Sequence, residues 1–458
     1  MKESKDELLG LIRNKNPMTD GQLLRLAILL ATPAILAQIS SVLMQYIDAA
    51  MVGHLGANPA ASIGLVSTST WILNGFFMAL MSGFSVQVAH KCGAKDFIAA
   101  KNLLRQGLAS VFLFTCLLAI IGALISSKLP YWLGGTSEII SDATRYFLIF
   151  TAFMPIGSIG YTASAMLQAS GNMKVPSIMY VTLALLDVVF NYLFIYILDL
   201  GVAGAALGTG AAETMVSIFA VWYATCKSEE LNLKREKGSF IPDRIVIKNA
   251  LSITGPLCLQ NIIMRGAYIM CTIIVAPLGA VAIAANTFAI TAESFCYMPG
   301  FGLQEAATTL VGQSFGAGRK DIARRLSNIT VLIATVIMTF LAILMYIFAP
   351  TIMGLLTSDG EVAALGSKVL RIEAFAETLY AVSIVAYGVF VGAGDTLLPS
   401  ILNFGSIWLI RIGLALVLTP KYGLAGYWIA MCIELNARGI IFFFRLRGDK
   451  WLKKKRLI

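Results

Sequence analysis

The chain alternates between long apolar stretches and short polar ones. Windows at 26–47, 49–90, 106–127, 146–173, 266–292 and 326–358 contain no Asp, Glu, Lys or Arg. A helix of ~20 apolar residues crosses ~30 Å of hydrocarbon. The window 49–90 is therefore too long for one crossing and must hold the end of one helix, a turn near His54–Pro59 and a second helix. Taken along the whole chain, the pattern predicts helices near 23–53, 60–90, 104–127, 143–170, 176–198, 202–226, 248–277, 281–314, 327–350, 367–392, 399–419 and 423–445. Backbone polar groups in lipid must be satisfied within the segment, and the ten-residue alternation of a membrane barrel is absent. The expected fold is an all-α integral membrane protein of twelve transmembrane helices.

Composition strengthens this reading. Of 458 residues, 58% are apolar and 13% charged, against ~45–50% and ~25% in ordinary soluble domains. That excludes a conventional soluble enzyme, a disordered chain and a collagenous one. The net charge of +10 comes from 35 basic and 25 acidic residues, and its distribution reports orientation. Twenty-seven Lys and Arg fall in the N-terminal segment, alternate loops and the C-terminal tail, against five (Lys128, Arg145, Lys368, Arg371, Lys421) in the opposite loops. Cytoplasmic loops collect basic residues, so both termini are expected in the cytoplasm of a multi-pass inner (plasma) membrane protein. The basic run at 453–456 then meets anionic lipid headgroups, with no nucleic-acid partner. The seven cysteines form no CxxC and read as packing residues. The polar N-terminus has no apolar h-region, so no cleaved signal peptide is expected and the first span serves as the insertion signal.

The chain also repeats itself. At an offset of 223 residues, Pro33 falls on Pro256, Leu55-Gly56-Ala57 on Leu278-Gly279-Ala280, Gly93-Ala94 on Gly316-Ala317, Gly171 on Gly394 and Pro176-Ser177-Ile178 on Pro399-Ser400-Ile401. One residue of slippage later, Ala203-Gly204 falls on Ala425-Gly426. A constant offset that pairs Pro and Gly punctuation points to duplication. The expected domains are a cytoplasmic segment (1–22), an N-lobe (23–226), a linker (227–247), a C-lobe (248–445) and a basic tail (446–458). Each half has an even number of spans, so the halves are parallel repeats, with a cavity expected at their interface. Two bundles that rock about such a cavity suit alternating access.

Charges within the spans need a reason, because a carboxylate at membrane depth costs ~2.5–3.5 kcal/mol on insertion scales. Asp48 ends the first span, and Asp187 and Asn191 lie at i and i+4 on one face of the fifth. Their oxygens suit a hard cation such as Na⁺. In a dry setting the same carboxylate can instead hold a proton. The offset pairs Asp48 with Cys271 and Asp187 with Ile410, which assigns the acid cluster, and with it ion coupling, to the first half only. Arg411 is expected to be paired or structural. Arg265, Glu293, Glu305, Glu373, Glu377 and Glu434 are further candidates, while Glu213 and Arg438 are expected near span ends, in solvent. Pro33 breaks the hydrogen-bond ladder of the first span and is a candidate hinge. No GxxxxGK[ST] or HExxH occurs, so the chain reads as a non-enzyme without cofactor, driven by an ion or substrate gradient.

These residues resemble a known family. YIDAAMVGHLG around Asp48, LQASGNMKVP at 167–176, GVAGAALGT at 201–209, LGAVAIAAN at 278–286, EAATTLVGQSFGAG at 305–318, VGAGDTLLP at 391–399, IRIGLAL at 410–416 and RLRGDKW at 445–451 are similar to the MATE (multidrug and toxic compound extrusion) transporters. The resemblance implies two six-helix lobes in a V around a central cavity. It also implies export of amphiphilic, often cationic organic compounds in exchange for H⁺ or Na⁺, by a monomer among membrane lipids. It places the cation site, and any Na⁺, at Asp48, Asp187, Asn191 and Thr209, with Pro33 as the first-span proline. The family's Asn and Asp on the fifth span are exchanged here. The acidic residues that one subgroup carries on the seventh and tenth spans match Met264 and Tyr380, so no second-half cation site of that kind is expected. Gln38, Tyr146, Tyr161, Ser164 and Tyr180 are the expected substrate-cavity residues. The alternatives are a lipid-linked oligosaccharide flippase, which would need a strongly basic cavity, and an integral-membrane prenyl-diphosphate transferase, which would need Asp-rich Mg²⁺ motifs.

Overall fold

The computed structural model describes residues 4–234 and 236–454, apart from the side chain of Ala57. Among these residues the regular structure is entirely helical. Ten helices are long and apolar enough to span a membrane: Asp20–Gly53, Asn58–Gly93, Phe97–Ile125, Ser137–Ala169, Lys174–Ile197, Gly201–Cys226, Arg244–Leu278, Ala280–Ala317, Lys320–Leu356 and Leu397–Tyr422. A further span is broken: Gly360–Glu373 and Glu377–Gly392 meet at 61°. With Leu424–Arg447 these make the twelve expected spans, numbered below in chain order. The helices overrun the apolar windows. The eighth has 38 residues and is thus ~57 Å long, more than the ~30 Å of the hydrocarbon core.

The duplication is written in the backbone as well as in the sequence. Gly56 and Gly279, 223 residues apart, open the second and eighth spans at φ 113° and 91°. Gly171 and Gly394 turn at φ 100° and 74°, and Lys95 and Gly318 at 61° and 77°. The tightest repeated contact is between spans five and six, and again between eleven and twelve. A Cβ on Gly204 would stand 2.6 Å from the carbonyl oxygen of Phe194, and one on Gly426 closer still to that of Leu418. Small residues let helix backbones approach where lipid supplies no hydrophobic drive. Gly204→Ala and Gly426→Ala are each expected to lower stability by about 1–3 kcal/mol, read as earlier thermal unfolding in detergent; an unchanged transition would show that the spans part freely.

The chain forms two compact units. One comprises the described residues up to Gln38 and from Leu259; the other is Ile39–Cys258. The units part inside the first and seventh spans, not in the 227–247 linker, because those helices pack by adjacency and not by chain order. In the first unit Gly302 leaves room for the backbone of Ile35, and in the second Thr254 Oγ1 donates to the Ala79 carbonyl at 3.2 Å.

Two terminal features went unseen in the apolar pattern. Lys5–Arg13 is a helix opened by a Ser4/Glu7 capping box, and it buries Leu8, Leu9 and Ile12. Arg13 Nε donates to Gln313 Oε1 at 3.3 Å, and Arg319 to the Asn16 carbonyl at 2.8 Å. At the other end Trp451 is buried against Phe315 and Phe390, and Asp395 is paired with both Arg445 and Lys454. Part of the basic tail is thus folded onto protein; Lys455 and Arg456 of the expected headgroup-facing run lie outside the described residues. In the second unit the linker is tied down by Lys101–Glu236 at 2.7 Å and by Arg105, which donates to the Glu236 carbonyl.

Candidate functional site

The second unit brings together four of the sequence-derived residues. Asn191, on the last α-helical turn of the fifth span, donates one Nδ2 bond to Asp48 Oδ1 and one to Asp187 Oδ2, both at 3.0 Å. The two carboxyl groups are themselves within hydrogen-bonding reach, and Thr209 of the sixth span lies beside Asp187. Asp187 and Asn191 are fully buried. The sequence builds this locally in three ways. Four-residue spacing stacks Asp187 and Asn191 on one face. A π-helical turn, Leu193–Ile197, follows at once; such turns recur at functional sites. Gly208 has no side chain where a Cβ would stand 2.8 Å from the Asn191 backbone nitrogen, so the sixth span presses onto the fifth at this residue.

Two carboxyl groups in contact repel unless a positive charge stands between them. Neither forms an ion pair with a basic side chain among the described residues. A proton or a small cation is the remaining partner. Asp187 Oδ1 and Asn191 Oδ1 are buried with no hydrogen-bond partner. Those oxygens, Asp48 and the Thr209 hydroxyl are hard oxygen donors of the kind that suit Na⁺.

The five expected cavity residues fall in three places. Tyr161, Ser164 and Tyr180 line one small cavity in the second unit, with Met179, Leu183 and Glu213. The rings of Tyr161 and Tyr180 are 6.0 Å apart. Tyr146 packs instead against Val52, Ile195 and Ala205. Gln38 belongs to the other unit, where its Nε2 donates to Glu305 Oε1 at 2.7 Å. Pro33 lies inside the continuous helix Asp20–Gly53.

Three expectations need correction. Glu213 is not at a solvated span end: it sits midway along the sixth span, lines the cavity and accepts a bond from the Tyr161 hydroxyl at 3.1 Å. Arg438 is likewise buried. Nor is the acid cluster confined to the first half. In the first unit Glu293, Glu373, Glu377 and Glu434 are all buried, and neither carboxyl oxygen of Glu373 or Glu377 has a hydrogen-bond partner. Glu373 and Glu377 flank the break of the tenth span, and the 223-residue offset sets them against Phe150 and Met154 of the fourth. Arg411 is paired, as expected: Glu434 holds it at 2.6 Å and Arg438 at 3.1 Å, and accepts from Ser406 Oγ at 2.6 Å. Met264 packs against Ala267, Ile407 and Ile412, and Tyr380 lies under the Arg438 guanidinium at 5.5 Å.

Fold and site together define a duplicated, all-helical, multi-pass membrane protein with acidic centres buried in its spans. The chain belongs to the MatE family, a family of transporters, whose model matches it twice, at residues 33–193 and 256–417. The two matches begin 223 residues apart, the offset found in the sequence. The chain is 26% identical to the probable multidrug resistance protein NorM of Thermotoga maritima, over 93% of this chain and 92% of that one. It is 27% identical to the multidrug resistance protein MdtK of Yersinia enterocolitica, over 93% and 95%. In fold it is similar to the solved structure of a MOP superfamily transporter from Pyrococcus furiosus (TM-score 0.88, 21% identity, covering 97% of this chain and 98% of that one).

Proposed function

We propose that the protein is a secondary active multidrug exporter that moves amphiphilic and cationic organic compounds out of the cell in antiport with H⁺ or Na⁺. The observation that carries this is the Asn191 amide bridging Asp48 and Asp187, beside carboxyl and amide oxygens left unpartnered in a buried site. Such a site binds or releases one positive charge at little geometric cost. Coupling requires that ion and substrate favour different states of the transporter; a ligand with equal affinity for both drives nothing. An ion at Asp48 and Asp187 biases the protein away from its substrate-bound form. Thr209 completes the cation site, and Pro33 is the hinge that lets the Asp48 end of the first span move against its other end. The cavity residues Tyr161, Ser164 and Tyr180 contact the substrate. The multidrug resistance names of the relatives agree with this reading.

The protein works as a monomer in the plasma membrane with both termini in the cytoplasm, and it needs no cofactor and catalyses no covalent step. Proteoliposomes loaded with ethidium test the function. With Na⁺ and pH gradients imposed independently, efflux is expected to follow one of them and to stop when that gradient is collapsed. Efflux indifferent to both would reject antiport and favour a flippase or passive carrier.

A further inference from the structure

At the end of the spans where the linker lies, the second unit holds a cavity of about 350 Å³ between the second and third spans and the start of the seventh. That volume falls within the ~300–1,000 Å³ of small-molecule sites. The polar lining is Gln87, Lys91, Asn102, Gln106, Asp243 and Asn249. Gln106 is 4% exposed, and its Oε1 is buried with no hydrogen-bond partner. Lys91 is held by Asp96 at 3.2 Å. Asp243 forms no ion pair with any basic side chain among the described residues.

The repeat indicates the occupant. At the offset of 223, Asn102 falls on Arg325 and Asp243 on Asp20. In the first unit the Arg325 guanidinium takes this place. It donates to Asp20 Oδ1 at 2.6 and 3.0 Å and to the Met18 carbonyl at 2.9 Å, fastening the start of the first span to the ninth. In the second unit the arginine stands about one turn further on: Arg105 falls on Asn328. Its guanidinium is engaged by Asn102 Oδ1 at 2.8 Å and by the carbonyls of Leu233 and Glu236. Exchanging Arg and Asn thus leaves a carboxylate and a buried amide oxygen lining a cavity where the other half has a guanidinium.

We propose that this cavity binds a small guanidinium or amidinium compound, with Asp243 as its counter-charge and Gln106 Oε1 as its buried acceptor. A planar cation with several N–H donors matches that acceptor set. An exposed carboxylate alone holds a cation weakly; the enclosure and the buried oxygen supply the rest. The ligand does for the seventh span what Arg325 does for the first, tying its opening turn to a neighbouring helix. The site shares no lining residue with the Tyr161 cavity and none with the ion site, and it does not rest on the exporter reading.

Equilibrium binding of methylguanidine and of methylurea to the purified full chain in phosphatidylcholine nanodiscs tests the site. The two probes are close in shape and differ in charge. Methylguanidine is expected to bind at least about 10-fold tighter than methylurea. Asp243→Asn should weaken it roughly 5-fold, and Gln106→Leu roughly 10-fold. Asn102→Arg supplies the guanidinium from the chain itself, so it should abolish binding and unfold no earlier than wild type. Asp48→Asn should leave the affinity unchanged, and ethidium should not displace the probe. Equal binding of the two probes, no binding of methylguanidine, undiminished binding in Asp243→Asn or displacement by ethidium would overturn the site.

Discussion

Asp48→Asn reduces gradient-driven dye efflux to the level of empty vesicles, while the protein still accumulates and unfolds at close to the wild-type temperature. Asparagine keeps the size of the side chain and its acceptor oxygen, so the hydrogen bond from Asn191 at 3.0 Å can persist. What is lost is a charge that can be neutralised. Coupling free energies of 1–3 kcal/mol correspond to ~5- to 150-fold differences in affinity, and removing one carboxyl group erases that difference. Asp187→Asn is expected to do the same, because both groups meet the same amide. The expectation concerns coupling and not recognition, so ethidium should still bind the Asp48→Asn protein. Full efflux in this variant, with expression matched, would remove the first-span carboxylate from the mechanism.

Glu434→Ala is expected to destabilise the protein by about 3–5 kcal/mol, the largest effect on stability among the substitutions considered. Glu434 is fully buried and holds both Arg411 and Arg438. Truncation removes the carboxylate that the two guanidinium groups share. Replacing a buried pair by apolar residues of similar volume is often neutral, so Glu434→Leu combined with Arg411→Met should recover part of the loss. Thermal unfolding in detergent reads both. A Glu434→Ala transition within a degree or two of wild type would mean that water already solvates the three residues.

Much of this was legible in the sequence because the physics of spanning lipid is repetitive. The apolar windows became helices, with 49–90 and 266–292 each crossing the turn between two, and Pro and Gly punctuation marked the repeat. The meeting of Asp48 with Asp187 and Asn191 followed from one face of one helix and one costly residue on another. Other features were hidden for identifiable reasons. Lys5–Arg13 has an apolar stripe of three residues among charges, too short to stand out from a polar segment. The parting of the units inside the first and seventh spans depends on which helix lies beside which, and hydropathy holds no record of that. Glu213 lies midway along the expected sixth helix, 202–226, and not near its end; its tie to Tyr161, 52 positions earlier, is a tertiary fact. Glu373 and Glu377 stand four residues apart, and the 61° break between their helices puts both at one elbow. The Glu213 misreading carried a cue that went unused: an acidic residue one turn beyond Thr209 shares its helix face.

The most direct measurement is the apparent affinity of the full-length protein for ethidium as the coupling ion is titrated, with Na⁺ and pH varied separately, in wild type and in Asp187→Asn. In wild type the apparent Kd should rise as one of the two ions saturates its site, and in Asp187→Asn it should stay flat across the same range. The same ion dependence in both proteins would contradict a cation site at Asp48, Asn191 and Asp187.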